Sequence, residues 1–467
     1  MSGRAQRAVR RIGGLTGIAV GVALATALFP PGAAAETLHE ALVSAYQNNP
    51  TLLAERAQLR ATDEGVASAL SGWRPTVQID GDVGFSETET TTESSGITTV
   101  TESSLRPRSF SVSVTEPLYR GGRTTAETRS AKILVDSGRA ALVETEQRVL
   151  LDAVSAYMEV LRSQSVVELN QNNETVFKRQ LQAAQDRFEV GEVTRTDVAQ
   201  AEARLAQATA DRIGAEGDLI SSRATYRQLM GDLPGKLEWP PPLGGLPASE
   251  REALEAANSA NPAILSADLA ELSAQEDIDV AISDLLPQVS LRGAYDRQYD
   301  ISSVTEELES LSLTALVSVP LYQSGAEHSA VRRSKQIASL RRLEYIEIRR
   351  AIFKEVTRAW EALITARAMI TAFEAQVRAA ELALEGVEQE TLVGLRTTLD
   401  VLDAEQEVFT ARVNLVSAER DEVFSGYWVL ATIGDLTAEA LGLPVEHYDA
   451  EAHYRDVSDK WFGIDAE

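Results

Sequence analysis

Two hydrophobic periods divide the chain. From Gly122 to Val190 and again from Gly325 to Val393 there is no proline, and apolar residues recur at heptad spacing. In the second stretch Val356, Leu363, Ile370, Val377 and Leu384 form one seam, and Ile352, Ala359, Ala366, Phe373, Ala380 and Val387 form the other. In the first stretch the same columns hold Ala153, Val160, Val167, Glu174, Leu181 and Phe188, then Val149, Ala156, Ser163, Asn170, Phe177 and Ala184. Seams held over about six heptads predict coiled-coil helices. About 69 residues at roughly 1.5 Å each predict rods of about 100 Å, well beyond a globular helix. Two shorter helical stretches, 38–72 and 194–231, together match one rod in length, so stacked end to end they would run beside it.

Elsewhere the period is two. Val77, Ile79, Val83 and Phe85 interleave with Gln78, Asp80, Asp82 and Ser86, and Phe110, Val112 and Val114 with Ser109, Ser111, Ser113 and Thr115. Val289, Leu291 and Tyr295 alternate with Gln288, Ser290, Arg292 and Asp296, and Leu311, Leu313, Ala315, Val317 and Val319 with Ser312, Thr314 and Ser318. Two hairpins follow, at about 75–118 and about 287–321, with strands of about 9–11 residues, the length of a tilted strand that crosses a bilayer. The stretch ETETTTESSGITTVTESS inside the first hairpin is polar and low in complexity, and reads as an exposed loop.

These elements occur twice. NNP at 48–50 matches SANP at 259–262, RPTVQ at 74–78 matches LPQVS at 286–290, and EPLYRGG at 116–122 matches VPLYQSG at 319–325. VGEVTRTDVAQAEA at 190–203 matches VGLRTTLDVLDAEQ at 393–406, and MGDL at 230–233 matches IGDL at 433–436. The chain therefore reads as an internal tandem duplication, residues 36–245 and 246–437, followed by an acidic tail at 438–467.

Composition narrows the setting. Arg4, Arg7, Arg10 and Arg11 precede an apolar run, and AAA at 33–35 offers a small-residue cleavage site, so residues 1–35 read as a cleaved secretory signal peptide. With 70 acidic against 44 basic residues and a formal net charge of −26, the chain is a poor candidate for nucleic acid. There is no cysteine, and His39, His328, His447 and His453 show no ligand spacing, so no metal or other cofactor is expected. No nucleophile constellation or phosphate loop stands out, and no enzyme is expected. Beyond residue 35 no apolar run is long enough for a transmembrane helix, which leaves an exported soluble protein or one that crosses a membrane as strands.

Four strands cannot close a barrel, and open strand edges are not tolerated in lipid, so a membrane role requires several copies. The duplication, the EPLYRGG and VPLYQSG strand-to-helix joints and above all VGLRTTLDVLDAEQ resemble the TolC-type outer-membrane channels of efflux pumps and type I secretion systems, over nearly all of the chain after residue 35. The resemblance implies a mainly α chain with membrane β: a homotrimer with a twelve-stranded transmembrane β-barrel in outer-membrane lipid, four strands from each copy, continuous with a long coiled-coil α-barrel in the periplasm. WPPPLGGLP at 239–247 and the acidic tail would form an equatorial belt. The implied function is a passive exit duct gated at its periplasmic end. A periplasmic membrane-fusion adaptor and an inner-membrane transporter, ABC-type or proton-driven, would be its partners and would select the cargo. The competing reading is a periplasmic coiled-coil adaptor or structural protein without a pore, its hairpins packed in a soluble domain.

The twin phrases carry the candidate chemistry. Gly191 and Gly394 suit the left-handed end of a helix, and Thr194 with Asp197, like Thr397 with Asp400, has capping-box spacing for the next helix. Asp403 breaks the symmetry, standing one turn after Asp400 where the first copy has Gln200. In a trimer this makes two rings of carboxylates that attract cations and raise one another's pKa; the alternative is an ordinary solvated helix charge. By resemblance, Asp400 and Asp403 match the family's selectivity ring, Arg396 its gate arginine, and Thr196 and Asp197 that arginine's partners. Where the family pattern has a tyrosine three residues before the second glycine, this chain has Thr391, whose shorter hydroxyl implies a different latch, with Arg195 as a substitute donor. Gly191 and Gly394, with Val193 and Leu395 as exposed apolar neighbours, would form the tips that meet the adaptor.

Overall fold

The computed structural model describes residues 36–464; the expected signal peptide lies outside them. The chain runs α1 (Leu38–Asn48), α2 (Pro50–Leu70), β1 (Thr76–Val83), β2 (Ser86–Ser94), β3 (Ile97–Leu105), β4 (Arg108–Arg120), α3 (Arg123–Glu189) and α4 (Arg195–Met230). It continues with α5 (Glu250–Ala260), α6 (Pro262–Ser283), β5 (Gln288–Ser302), β6 (Thr305–Ser318), α7 (Ala326–Leu392), α8 (Thr398–Ile433) and α9 (Ala452–Val457).

The heptad pattern resolves into the two rods α3 and α7, each of 67 residues and so about 100 Å long. The predicted seams of α3 are buried at Val149, Ala153, Ala156, Val160, Ser163, Val167, Asn170, Phe177 and Ala184. Glu174 is buried too, and it is satisfied by Lys178 at 3.0 Å, Arg212 at 3.0 Å and the Thr209 hydroxyl at 2.9 Å. The seam of α7 is thinner: Val356, Ala359, Leu363, Ala366 and Ala380 are buried, while Ile370, Phe373, Val377, Leu384 and Val387 are half-buried. Among the described residues no helix is long and apolar enough to cross a membrane.

The stretch 38–72 is not one helix. It breaks into α1 and α2 at Asn49, whose side chain accepts from the Thr51 N–H while Pro50 takes the first helical position. Proline cannot continue the preceding hydrogen-bond ladder but fits a helix start, which is why the chain restarts there. α5 and α6 meet the same way at Asn261 and Pro262. Each asparagine also ties its joint to the end of a rod-flanking helix. Asn49 Nδ2 donates to the Leu229 carbonyl at 3.2 Å, and Asn261 Nδ2 to the Thr432 carbonyl at 2.9 Å. The short helices are thus stacked end to end, α1–α2 on α4 and α5–α6 on α8, with α4 and α8 of 36 residues each.

The strands form one antiparallel sheet in the order β1-β4-β5-β6, with β1 and β6 as its edges. Its register segregates the two faces. Val77, Val114, Gly293 and Leu313 share a row, as do Ile79, Val112, Tyr295 and Leu311. On the opposite face lie Gln78, Ser113, Ala294 and Ser312, then Asp80, Ser111, Asp296 and Ser310. β4, β5 and β6 have 13, 15 and 14 residues, longer than predicted, and the extra length of the β5–β6 hairpin carries Arg297, Tyr299, Glu307 and Glu309. The predicted loop is itself a hairpin, β2 paired with β3 through a two-residue turn at Ser95 (φ 54°) and Gly96 (φ 77°). Threonine-rich alternation favours strand, and two positive φ values match the turn that a twisted hairpin prefers.

A central core joins both halves. Leu38, Ala41 and Leu42 of α1, Leu150, Val154 and Tyr157 of α3, Tyr226 and Met230 of α4, Val356 of α7 and Leu430 and Ile433 of α8 pack in it. The Tyr157 hydroxyl donates toward the Glu36 and Glu238 carbonyls at 2.8 and 2.6 Å, and burial pushes its pKa up to about 12. Leu243 and Leu246 of the proline-rich connection pack on this core, as do Leu436, Ala438 and Leu443 after α8. The segment beyond 438 reaches further than the expected equatorial belt, because α9 packs along α2 and the chain continues to Arg74, beside β1.

Candidate gate at the helical tips

At the far end of the rods, α3 turns into α4 and α7 into α8. Gly191 (φ 79°) and Gly394 (φ 80°) end the rods in the left-handed region, where a residue with a Cβ is strained. The next N–H groups close the turns, Glu192 to the Arg187 carbonyl at 2.9 Å and Leu395 to the Glu390 carbonyl at 2.9 Å. Both capping boxes are formed. The Thr194 and Thr397 hydroxyls accept from the Asp197 and Asp400 amides at 3.3 Å, and each carboxylate accepts its threonine's N–H, at 2.7 and 2.8 Å.

The two aspartates of the second phrase have separate tasks within the chain. Asp400 is half-buried, and hydrogen bonds from the Thr397 backbone and hydroxyl, with Arg396 nearby, hold its carboxyl below the usual aspartate range. Asp197 is lowered in the same way by Thr194. Within a single chain, these local donors set the direction of the shift at Asp400. Asp403 is exposed and bonded at 2.5 Å to Arg204 of α4, a link between the two helical hairpins. Beside it Leu402 is fully buried with Phe177, Ala184, Ala201 and Ala208, so α8 keys into the first hairpin. The carboxyl that is raised here is Glu405, through burial and the nearby charge of Glu388.

Arg396 donates to Glu390 of its own turn at 2.9 Å, with Asp400 as a further favourable charge. The matched partners lie on the other tip, where Asp197 serves its own cap and Thr196 and Arg195 are exposed on the first turn of α4. Thr391 bonds back to the Val387 carbonyl at 2.7 Å, a use of its hydroxyl inside α7. A groove of about 230 Å³ beside it is lined by Ala184 and Arg187 of α3, Glu388 and Thr391 of α7, and Thr398 and Val401 of α8.

Leu395 is 76% exposed, as expected, whereas Val193 is half-buried and is not an exposed apolar neighbour. Phe188, Val190, Leu392 and Val393 supply the rest of the exposed apolar tip. Sequence reasoning missed these four together with Arg204, Glu390 and Glu405. Arg204 was findable: Gln200 is level with Asp403 in the repeat, and Arg204 stands one turn further along α4.

The family model for outer membrane efflux proteins matches residues 41–232 and 253–423. The chain is 35% identical over 441 residues to the outer membrane efflux protein BepC of Brucella suis biovar 1, covering 94% of each chain. It is 30% identical over 421 residues to the outer membrane protein TolC of Vibrio cholerae, covering 87% of this chain and 92% of that one. Among solved structures, the CmeC outer membrane channel of Campylobacter jejuni matches with a TM-score of 0.75 at 16% identity, over 90% of this chain and 89% of that one, a likeness of fold. A family match across both helical hairpins and a relative this similar end to end place the chain in the outer membrane efflux protein family.

Proposed function

We propose that the chain is the outer-membrane exit duct of a tripartite efflux pump or type I secretion system, built as a homotrimer and gated at its periplasmic tips. The observation that carries this reading is the four-stranded sheet, apolar on one face and polar on the other, with two open edges, set on rods about 100 Å long. A sheet with open edges is viable in lipid only if the edges meet others, and three copies would bring β6 of each against β1 of the next in a twelve-stranded barrel. The thinly covered seam of α7 favours the same assembly, since neighbouring copies would cover it. The matching lengths of α3 and α7 and of α4 and α8, and the paired Asn-Pro joints, support a tandem duplication, each half giving one hairpin to the barrel and one helical turn to the tip.

In this duct the protein performs no covalent chemistry. It supplies a water-filled passage, while an inner-membrane transporter supplies energy and a periplasmic adaptor meets the apolar tips at Val190, Val393 and Leu395. Asp400 and Asp403 would line the narrow end, with Arg396 holding it closed. Outer-membrane fractionation tests the reading: a heat-sensitive, SDS-resistant trimer that conducts in planar bilayers is expected, and a soluble monomer without conductance would sink it.

A further inference from the structure

Beyond the duct, we propose that the segment 460–464 is a lipid anchor, which seats Trp461, Phe462 and Ile464 in the headgroup zone of the membrane leaflet at the helical end of the sheet. The proposal rests on the sheet's spanning a membrane, and it assigns a role to a part of the chain outside both barrel and gate.

After leaving the central core the chain climbs α2. The Tyr448 N–H donates to the Tyr46 hydroxyl at 3.1 Å, and the Arg56 guanidinium lies over both rings, at 4.6 and 5.1 Å. His453 Nδ1 is 3.1 Å from the buried Asp63 carboxylate. Higher still, Arg74 Nη1 donates to the Lys460 carbonyl at 2.8 Å, and its guanidinium lies 4.8 Å from the Trp461 ring. Contacts at 448, 453 and 461 thus advance in step with 46–56, 63 and 74, and Arg74 is two residues before β1 begins. The height of Trp461 is therefore fixed at the base of the sheet.

At that height the segment is apolar and open: Trp461 is 59% exposed, Phe462 is 87% exposed and Ile464 is fully exposed. Trp73, next to Arg74, and Leu321 and Tyr322, which follow β6, are exposed as well. Lys460 and Arg74 are basic, whereas Glu451, Asp456 and Asp459 lie earlier along the strap. Exposed aromatic rings beside the cations Arg74 and Lys460, next to a sheet face of Val77, Leu313 and Val317, form the pattern of a headgroup-level belt. The occupant that fits this surface is phospholipid.

The sequence contains no cysteine, so single cysteines can carry a nitroxide on the full chain without a background. Phe462→Cys, Asp459→Cys and Leu313→Cys are labelled, and the trimers are reconstituted in phosphatidylethanolamine–phosphatidylglycerol vesicles. Collisions with oxygen and with a water-soluble nickel chelate are then read by electron paramagnetic resonance. The expected result is an oxygen-to-nickel ratio several-fold higher at 462 than at 459, lost when Arg74→Ala is added. Equal nickel access at 462 and 459 would overturn the anchor, and so would shielding of 462 from both reagents, which would place it against a neighbouring copy. A lipid-like ratio at 313 in either case leaves the membrane-spanning reading intact; a water-like ratio at 313 overturns that reading and the anchor with it.

Discussion

In the proposed duct, Asp403 and Arg204 would set the charge that a passing ion meets at the tips. Their bond, between side chains 56% and 38% exposed, is screened by water and contributes little to stability, so in the proposed duct its consequence would lie in selectivity. Arg204→Ala should leave Asp403 uncompensated and raise cation preference in planar-bilayer recordings, whereas Asp400→Asn with Asp403→Asn should lower both that preference and block by multivalent cations. Arg396→Ser should raise the open probability. If the brace to Glu390 acts within one turn, Glu390→Gln should have the same effect; if the arginine acts across tips, Glu390→Gln should be silent. The titrating groups of this end pull in opposite directions. Asp197 and Asp400 are depressed, so their contribution is full above the unfolded value of about 3.9 and is lost as pH falls through the folded values. Glu405 is raised, so its contribution is present below its unfolded value and is lost as pH rises through the folded one. Amide protection near the tips, corrected for intrinsic exchange, should therefore peak at mildly acidic pH, and Glu405→Gln should remove the decline on the alkaline side.

Helices and strands show where sequence patterns sufficed and where they stopped. Gly434 (φ 98°) ends α8, and a Cβ there would meet the Ala260 carbonyl oxygen at 2.5 Å, at the joint between α5 and α6. Gly231 (φ 97°) ends α4 with open space around it. Alanine at either position carries a left-handed penalty of about 1–2 kcal/mol, and only Gly434→Ala adds a backbone clash. Heat should therefore unfold the Gly434→Ala chain at a lower temperature than the Gly231→Ala chain. The rods were legible because heptad seams and the absence of proline are local signals, and the capping boxes because Thr194, Asp197, Thr397 and Asp400 lie within one turn of their partners. Glu174 in a seam was not interpretable, since Arg212 comes from another helix 38 positions on. The β2–β3 hairpin was misread because its Thr, Ser and Glu residues present no apolar face, although the Ser95-Gly96 turn between alternating threonines marked it. The charge around Asp403 was half legible: the repeat exposed the extra carboxylate, but only packing of α8 on α4 brought Arg204 to it.

For the molecule as a whole, charge and closure make separate demands. With a formal net charge of −26 on each full chain, cation preference should fall as ionic strength rises from about 0.01 M to about 1 M, where the screening length shrinks from about 30 Å to about 3 Å. In the proposed barrel, closure would depend on one face of a single sheet. Leu313 lies on the apolar face of the edge strand β6 and is exposed, while Thr314, the next residue on β6, points to the polar face. An arginine facing lipid near the bilayer midplane costs about 2–4 kcal/mol, and much less when it faces a watery lumen. In the proposed trimer three copies would multiply that cost, so Leu313→Arg should abolish the SDS-resistant trimer and leave chains that fail to enter the outer membrane. Thr314→Arg places the same side chain and charge one residue away and should assemble normally, with reduced cation preference as its signature. Equal assembly of the two variants would mean that neither face meets lipid, and the helical rods would then belong to a soluble periplasmic protein.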